Sequence, residues 1–243
     1  MRRSILKTGI VWKEQVLRFL YPHTCPLCGR ITGERICGVC QEKLEYIGEP
    51  RCMRCGKPVR QENREYCYDC EKHVHVYERG YALWIHSGSV KNSIYQFKYH
   101  NRRVYGRFFA EEFFLRYEKA VRRWNITTII PIPLSKRRRR LRGYNQAEIL
   151  ADELGRMLSV PVNRKSLVRV KDTDPQKKMD VRGRKDNLKH AFAWKGQKCI
   201  QGNVLLVDDI YTTGSTIDHA ARVLKEAGCG KVYFLTISIG QGY

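Results

Sequence analysis

Apolar positions along this chain recur with two periods, one of strands and one of helices. Val204 to Val207 is a short run with β-branched ends, suited to a buried parallel strand that Asp208 and Asp209 close. After a polar turn, Ile217, Ala220, Ala221 and Leu224 recur on one helical face, and Gly228 ends that helix. Lys231 to Ile239 reads as the next strand. Upstream, Ile126 to Ile130 predicts another strand. Ala147, Ile149, Leu150, Leu154 and Leu158 mark the inward face of a helix beginning near Asn145. Strands alternating with helices predict an α/β fold, a twisted and mostly parallel sheet flanked by helices. Ile5 to Leu20 predicts a short amphipathic helix. Charges interrupt every apolar run well before the ~20 residues a bilayer needs, so no membrane insertion is expected.

The first third of the chain is different. Eight of the ten cysteines form four C-x-x-C pairs: Cys25/Cys28, Cys37/Cys40, Cys52/Cys55 and Cys67/Cys70. The basic start is interrupted by Lys7, Lys13 and Glu14, which argues against an export signal and for a reducing, cytoplasmic location. There, paired cysteines read as metal ligands rather than disulfides. Each pair grips a metal from one turn, and two pairs complete a four-thiolate zinc site. Gly29 and Gly56 follow Cys28 and Cys55, where positive φ lets backbone N–H groups face the sulfurs. Two structural Zn²⁺ sites are expected, paired sequentially, although spacing alone also permits an interleaved cross-brace. Closed four-thiolate sites leave no open position for catalysis. His23, His73 and His75 are expected at the surface, and the lone Cys199 and Cys229 in the core. These features divide the chain into an N-terminal helix (1–20), a double zinc ribbon (21–80) and an α/β domain (81–243).

Charge adds a partner. The 46 Lys and Arg exceed 24 Asp and Glu by +22. The first 80 residues carry 15 basic and 10 acidic side chains, so most of the excess lies in the larger domain. A small-molecule enzyme does not need that excess, and a polyanion does. Six of the seven residues from Lys136 to Arg142 are basic and read as a loop between a strand and a helix. Tyr95 to Arg103 interleaves aromatic and basic residues. The pattern suits base stacking with phosphate contacts, and equally a buried strand edge. Lys98, Arg102, Arg103, Arg138, Arg139, Arg140 and Arg142 are the candidate nucleic-acid contacts.

The densest chemistry follows Asp209. Thr212, Thr213, Gly214, Ser215 and Thr216 form a hydroxyl-rich turn at a helix N-terminus, where N–H groups and hydroxyls surround a phosphate. Asp208 and Asp209 can accept hydrogen bonds from ribose hydroxyls, directly or through metal-bound water. The Gly-Lys-Ser/Thr of a P-loop is absent.

The string VLLVDDIYTTGST resembles the phosphoribosyl pyrophosphate (PRPP) motif of type I phosphoribosyltransferases. PIPLSKRRRRLRGYNQAEILA resembles ComF-type proteins of DNA uptake, which join a zinc ribbon to a phosphoribosyltransferase-like domain. FKYHNRRVYGRFFAEEF, with its lysine, and RVKDTDPQKKMDVRGRKDNLKHAFAW agree with that family. The resemblance implies a type I phosphoribosyltransferase-like fold that binds PRPP with Mg²⁺. Asp208 and Asp209 would hold the ribose, and residues 212–216 the 5-phosphate. Leu134, Ser135, Lys136 and Arg137 would hold the pyrophosphate. A mobile loop would carry Gln176, Arg184 and Asn187, with Arg169 at its start. It further implies single-stranded DNA, and a helicase or other uptake protein, as partners. No catalytic residue or acceptor pocket is identifiable. Two other readings stand beside DNA handling: a phosphoribosyltransferase acting on a nucleobase or amine, and a PRPP-sensing regulator or scaffold.

Overall fold

In a computed structural model, residues 23–61, 63–170, 191–197 and 199–240 are described. The expected helix at Ile5–Leu20 and the candidates Gln176, Arg184 and Asn187 lie outside them. The chain divides between Leu44 and Glu45 into two compact units. The composition boundary near residue 80 is therefore not where the core changes.

In the first unit, Thr24 bridges Ile31, and the Cys25 N–H donates to Arg30 O across the first knuckle. Helix α1 (Gly38–Lys43) then carries Cys40 inward.

The second unit opens with the other knuckle. Arg51 bridges Pro58, the Cys52 N–H donates to Lys57 O, and helix α2 (Tyr68–Lys72) carries Cys70. Then come β1 (Arg79–Ile85), α3 (Gly88–Tyr99), α4 (Tyr105–Arg123) and β2 (Ile126–Pro131). Next are α5 (Lys136–Arg142), α6 (Gln146–Leu158), β3 (Leu167–Arg169) and β4 (Phe192–Trp194). The chain closes with β5 (Asn203–Tyr211), α7 (Ser215–Glu226) and β6 (Val232–Ile239).

Four strands form one parallel sheet in the order β1-β6-β5-β2, and β3 and β4 form a separate antiparallel pair. All eight residues of β6 are buried, as a central strand covered on both faces requires. Helix α7 buries Ile217, Ala220, Ala221 and Leu224, the four residues its periodicity predicts. Among the described residues, no helix is long and apolar enough to cross a membrane.

The structure corrects several expectations. The basic run is a helix, not a loop. Ser135 Oγ accepts the Arg138 N–H at its start, Gly143 takes φ 75° at its end, and Arg, Lys and Leu between them are good helix formers. Strand β5 continues through Asp208 and Asp209 to Tyr211, because β6 keeps pairing with it as far as Ile239. Tyr95 to Arg103 is a helix end and a turn rather than a strand edge. Cys229 is buried as expected. Cys199 is exposed and lines a cleft of about 570 Å³ with Thr128 and Trp194, beside the start of β5.

Candidate functional site

Each cysteine quartet brings four sulfurs within 4.8 Å of one another, in the sequential pairing: Cys25, Cys28, Cys37 and Cys40, then Cys52, Cys55, Cys67 and Cys70. Tetrahedral Zn–S bonds of ~2.3 Å place sulfurs ~3.8 Å apart. The Cys28–Cys37 and Cys55–Cys67 separations are 3.6 and 3.5 Å. Hydrogen bonds from Cys55, Cys67 and Cys70 pull the Cys52 thiol down, while contact with Cys52, Cys67 and Cys70 pushes Cys55 up. Four sulfurs this close ionise together only around a cation. Both quartets fit zinc. Gly29 and Gly56 take φ of 79° and 76° as expected.

The second quartet is built into the sheet. Cys52, Cys55 and Cys67 share one buried cluster with Tyr77, Ala82, Tyr211 and Phe234. From it, residues 75–77 reach the hydroxyl-rich turn by two routes. Asp218, in the first turn of α7, receives the Val76 N–H at 2.9 Å and lies 2.5 Å from His75 Nδ1. The Tyr77 and Tyr211 hydroxyls meet at 2.6 Å, and burial pushes both pKa values up, so both stay protonated. His75 is therefore buried, contrary to its expected surface place, while His23 and His73 are exposed. Its sequence neighbourhood gave no sign of this, because its partner lies 143 residues away.

Tyr211 underlies the turn. Its ring stacks on Phe234 at 4.9 Å. A Cβ on Gly214 would lie 2.5 Å from its hydroxyl, and Gly214 has φ 80°, so only glycine fits. Gly214 caps α7, whose first N–H groups have no intrahelical partner and present positive charge. Thr213 Oγ1 and Ser215 Oγ lie 2.9 Å apart beside them, and Thr212 and Thr213 are exposed. The turn can thus offer N–H groups and hydroxyls to an anion.

Asp208 and Asp209 sit one strand-end away. Burial, and then the Asp209 charge, pushes the Asp208 carboxyl up to about 7. Asp209 takes Lys98 Nζ at 2.7 Å, with Arg142 Nη1 at 3.9 Å. Arg142 also donates to Gln146 Oε1 at 2.9 Å and to the Tyr99 hydroxyl at 3.2 Å. Gln146 and Tyr144 donate to the Phe97 carbonyl, which fixes the end of α3 and thereby Lys98. Asn145 Nδ2 ties the site to the exit of β2 through Ile132 O at 2.9 Å. Two expected nucleic-acid residues, Lys98 and Arg142, are thus turned onto the Asp209 carboxylate, with side chains 13% and 6% exposed. Arg102, Arg103 and Arg140 are exposed, and Arg139 pairs with Glu148 at 2.6 Å. Leu134 is half-buried and Ser135 buried, while Lys136 and Arg137 are exposed in the first turn of α5. Sequence reading missed Tyr77, Tyr211, Asp218, Asn145 and Gln146 as parts of the site. Asn145 and Gln146 do stand next to the basic run, a signal that was available.

Comparison with known proteins agrees with this composition. The Double zinc ribbon domain family matches residues 16–71. Competence protein F of Haemophilus influenzae is 30% identical, over 81% of this chain and 87% of its own. Competence protein ComFC of Bacillus subtilis is 29% identical, over 80% of both. DNA utilization protein YhgH of Escherichia coli K12 is 28% identical, over 81% of this chain and 87% of its own. Adenine phosphoribosyltransferase from Saccharomyces cerevisiae aligns with a TM-score of 0.37 at 15% identity, over 57% of this chain and 72% of that one. With two cysteine quartets and a parallel sheet in one chain, and 30% identity to Competence protein F over most of both lengths, the chain belongs to the ComF family of competence proteins.

Proposed function

We propose that this chain binds PRPP or a related phosphoribosyl ligand at the end of β5 and handles single-stranded DNA in the cytoplasm during DNA uptake. The observation that carries the reading is the pairing of two acids on β5 with the Gly214-led N-terminus of α7. The turn suits a 5-phosphate, and the acids suit ribose hydroxyls. The competence names of the relatives support the DNA part, as do the exposed cations Arg102, Arg103 and Arg140.

A divalent cation fits beside Asp208, a carboxyl that burial and a like charge leave short of positive charge. Mg²⁺ bound there through Asp208 and Asp209 would neutralise pyrophosphate charge. The chain's own residues do the remainder. Lys98 is already on Asp209, so it stands where it can turn to a pyrophosphate oxygen. Arg142 backs it from a nearly closed position.

Calorimetry of the zinc-loaded chain with PRPP and Mg²⁺ tests the ligand. Saturable binding is expected for the wild type, and its loss in Asp208→Asn/Asp209→Asn. Binding unchanged in that double variant, or none by folded wild type, overturns the assignment.

A further inference from the structure

A cleft of about 430 Å³ opens between the outer face of α3 and the exits of β1 and β5. It is of a size that takes one nucleotide. Its floor is apolar, from Ile94 and Ile210. One wall carries Tyr95 and Tyr99, 52% and 45% exposed, with ring centroids 5.0 Å apart. Two large rings left half in water on one helix need a reason, since burying aromatic area is favourable. Arg142 lies 5.0 Å over the Tyr99 ring and holds its hydroxyl, so that ring is already braced. Among the described residues, the ring neighbours of Tyr95 are Tyr99 and His100.

The polar groups around the rings are cationic or neutral donors. Lys91 is exposed at the rim, and Lys98 lies between the cleft and Asp209. Burial, and then the Lys98 and Lys91 charges, lower the pKa of His86 and favour its neutral imidazole. Its Nδ1 lies 2.9 Å from Ser238 Oγ, which fixes the ring. A planar face on tyrosine, a phosphate on lysine and an edge beside a neutral imidazole together describe a nucleobase with its backbone phosphate.

We infer that this cleft stacks one base of single-stranded DNA on Tyr95, next to the Asp208–Asp209 site. The inference rests on the DNA part of the proposed function and assigns it a place. The strand is favoured over a free nucleotide by the cations that continue past the cleft, Arg102 and Arg103, both exposed on the turn after α3. A single nucleotide has no further phosphates for them.

Fluorescence anisotropy with the zinc-loaded full chain tests it, using labelled oligothymidylate, an abasic strand of the same length, and thymidine monophosphate as competitor. Tyr95→Ala is expected to weaken oligothymidylate binding about 5- to 100-fold, and Tyr95→Phe to restore it. The abasic strand should bind the wild type that much more weakly and be indifferent to Tyr95→Ala. PRPP binding should be unchanged in both variants. Oligothymidylate and abasic strands binding equally well, with no effect of Tyr95→Ala, overturn the stacking site but leave phosphate-driven DNA binding standing. Thymidine monophosphate binding as tightly as the oligonucleotide overturns the strand as occupant. Folded wild type that binds no strand overturns the DNA reading itself.

Discussion

The two cysteine quartets share a motif but not a structural role. Around Gly29 in the first knuckle, a Cβ would meet nothing within 4 Å. Around Gly56 in the second, it would lie 2.8 Å from the Gly80 carbonyl of β1. The Gly80 N–H donates to Arg54 O, and Lys57, almost wholly buried, pairs with Asp69 at 2.6 Å. Residues 75–77 then connect this knuckle to Tyr211 and Asp218 under the hydroxyl-rich turn. The first site thus staples a segment too small to hold itself together, and the second is part of the sheet's core. A shared ligand pattern does not predict how much of a fold depends on the metal.

The largest test of that difference is to remove one ligand from each site. Cys55→Ser should cost the larger unit its zinc and about 3 kcal/mol or more, by opening a site whose sulfur is fully buried. Cys28→Ser, at an exposed sulfur, should lose one zinc while the main calorimetric transition stays put. Equal effects on that transition would erase the distinction.

A gentler version uses the two knuckle glycines. Gly29→Ala carries only the left-handed backbone cost of about 1 kcal/mol. Gly56→Ala adds a collision with backbone that cannot swing away, for about 2–3 kcal/mol in total. Chemical denaturation followed by zinc release reads both, and a smaller loss for Gly56→Ala would contradict the packing described.

The smallest effect concerns pH, and it belongs to the sheet unit alone. The folded chain raises Asp208 from 3.8 to about 7, so it holds that proton more tightly than the unfolded chain does. The stabilisation is complete below the unfolded value and is lost as pH rises through about 7. Without ligand, the main transition should fall by about a few degrees between pH 5 and pH 8. Asp208→Asn should flatten that slope. A wild-type slope of the opposite sign would show that Asp208 is not held protonated.

Much of the site was legible locally. The acids, the Thr-Thr-Gly turn and the inward face of α7 lie in one stretch, Val204 to Leu224, where strand, turn and helix signals follow one another. The zinc pairs were legible for the same reason, since a knuckle is a local turn. The basic run was misjudged because its charge outweighed its capping residues, although Ser135 and Gly143 flank it as helix start and stop.

The sequence by itself determined the α/β alternation, the ligands of both metal sites and the hydroxyl-rich turn at a helix start, because each is set by residues within one or two turns of chain. Only the tertiary structure decided that Lys98 and Arg142 face Asp209, that His75 is buried against Asp218, and that the second zinc site belongs to the sheet. The Lys98, Arg142 and His75 contacts join segments separated by 67 to 143 residues. No periodicity spans such a distance, and the partners are selected only when packing a shared core removes the alternatives.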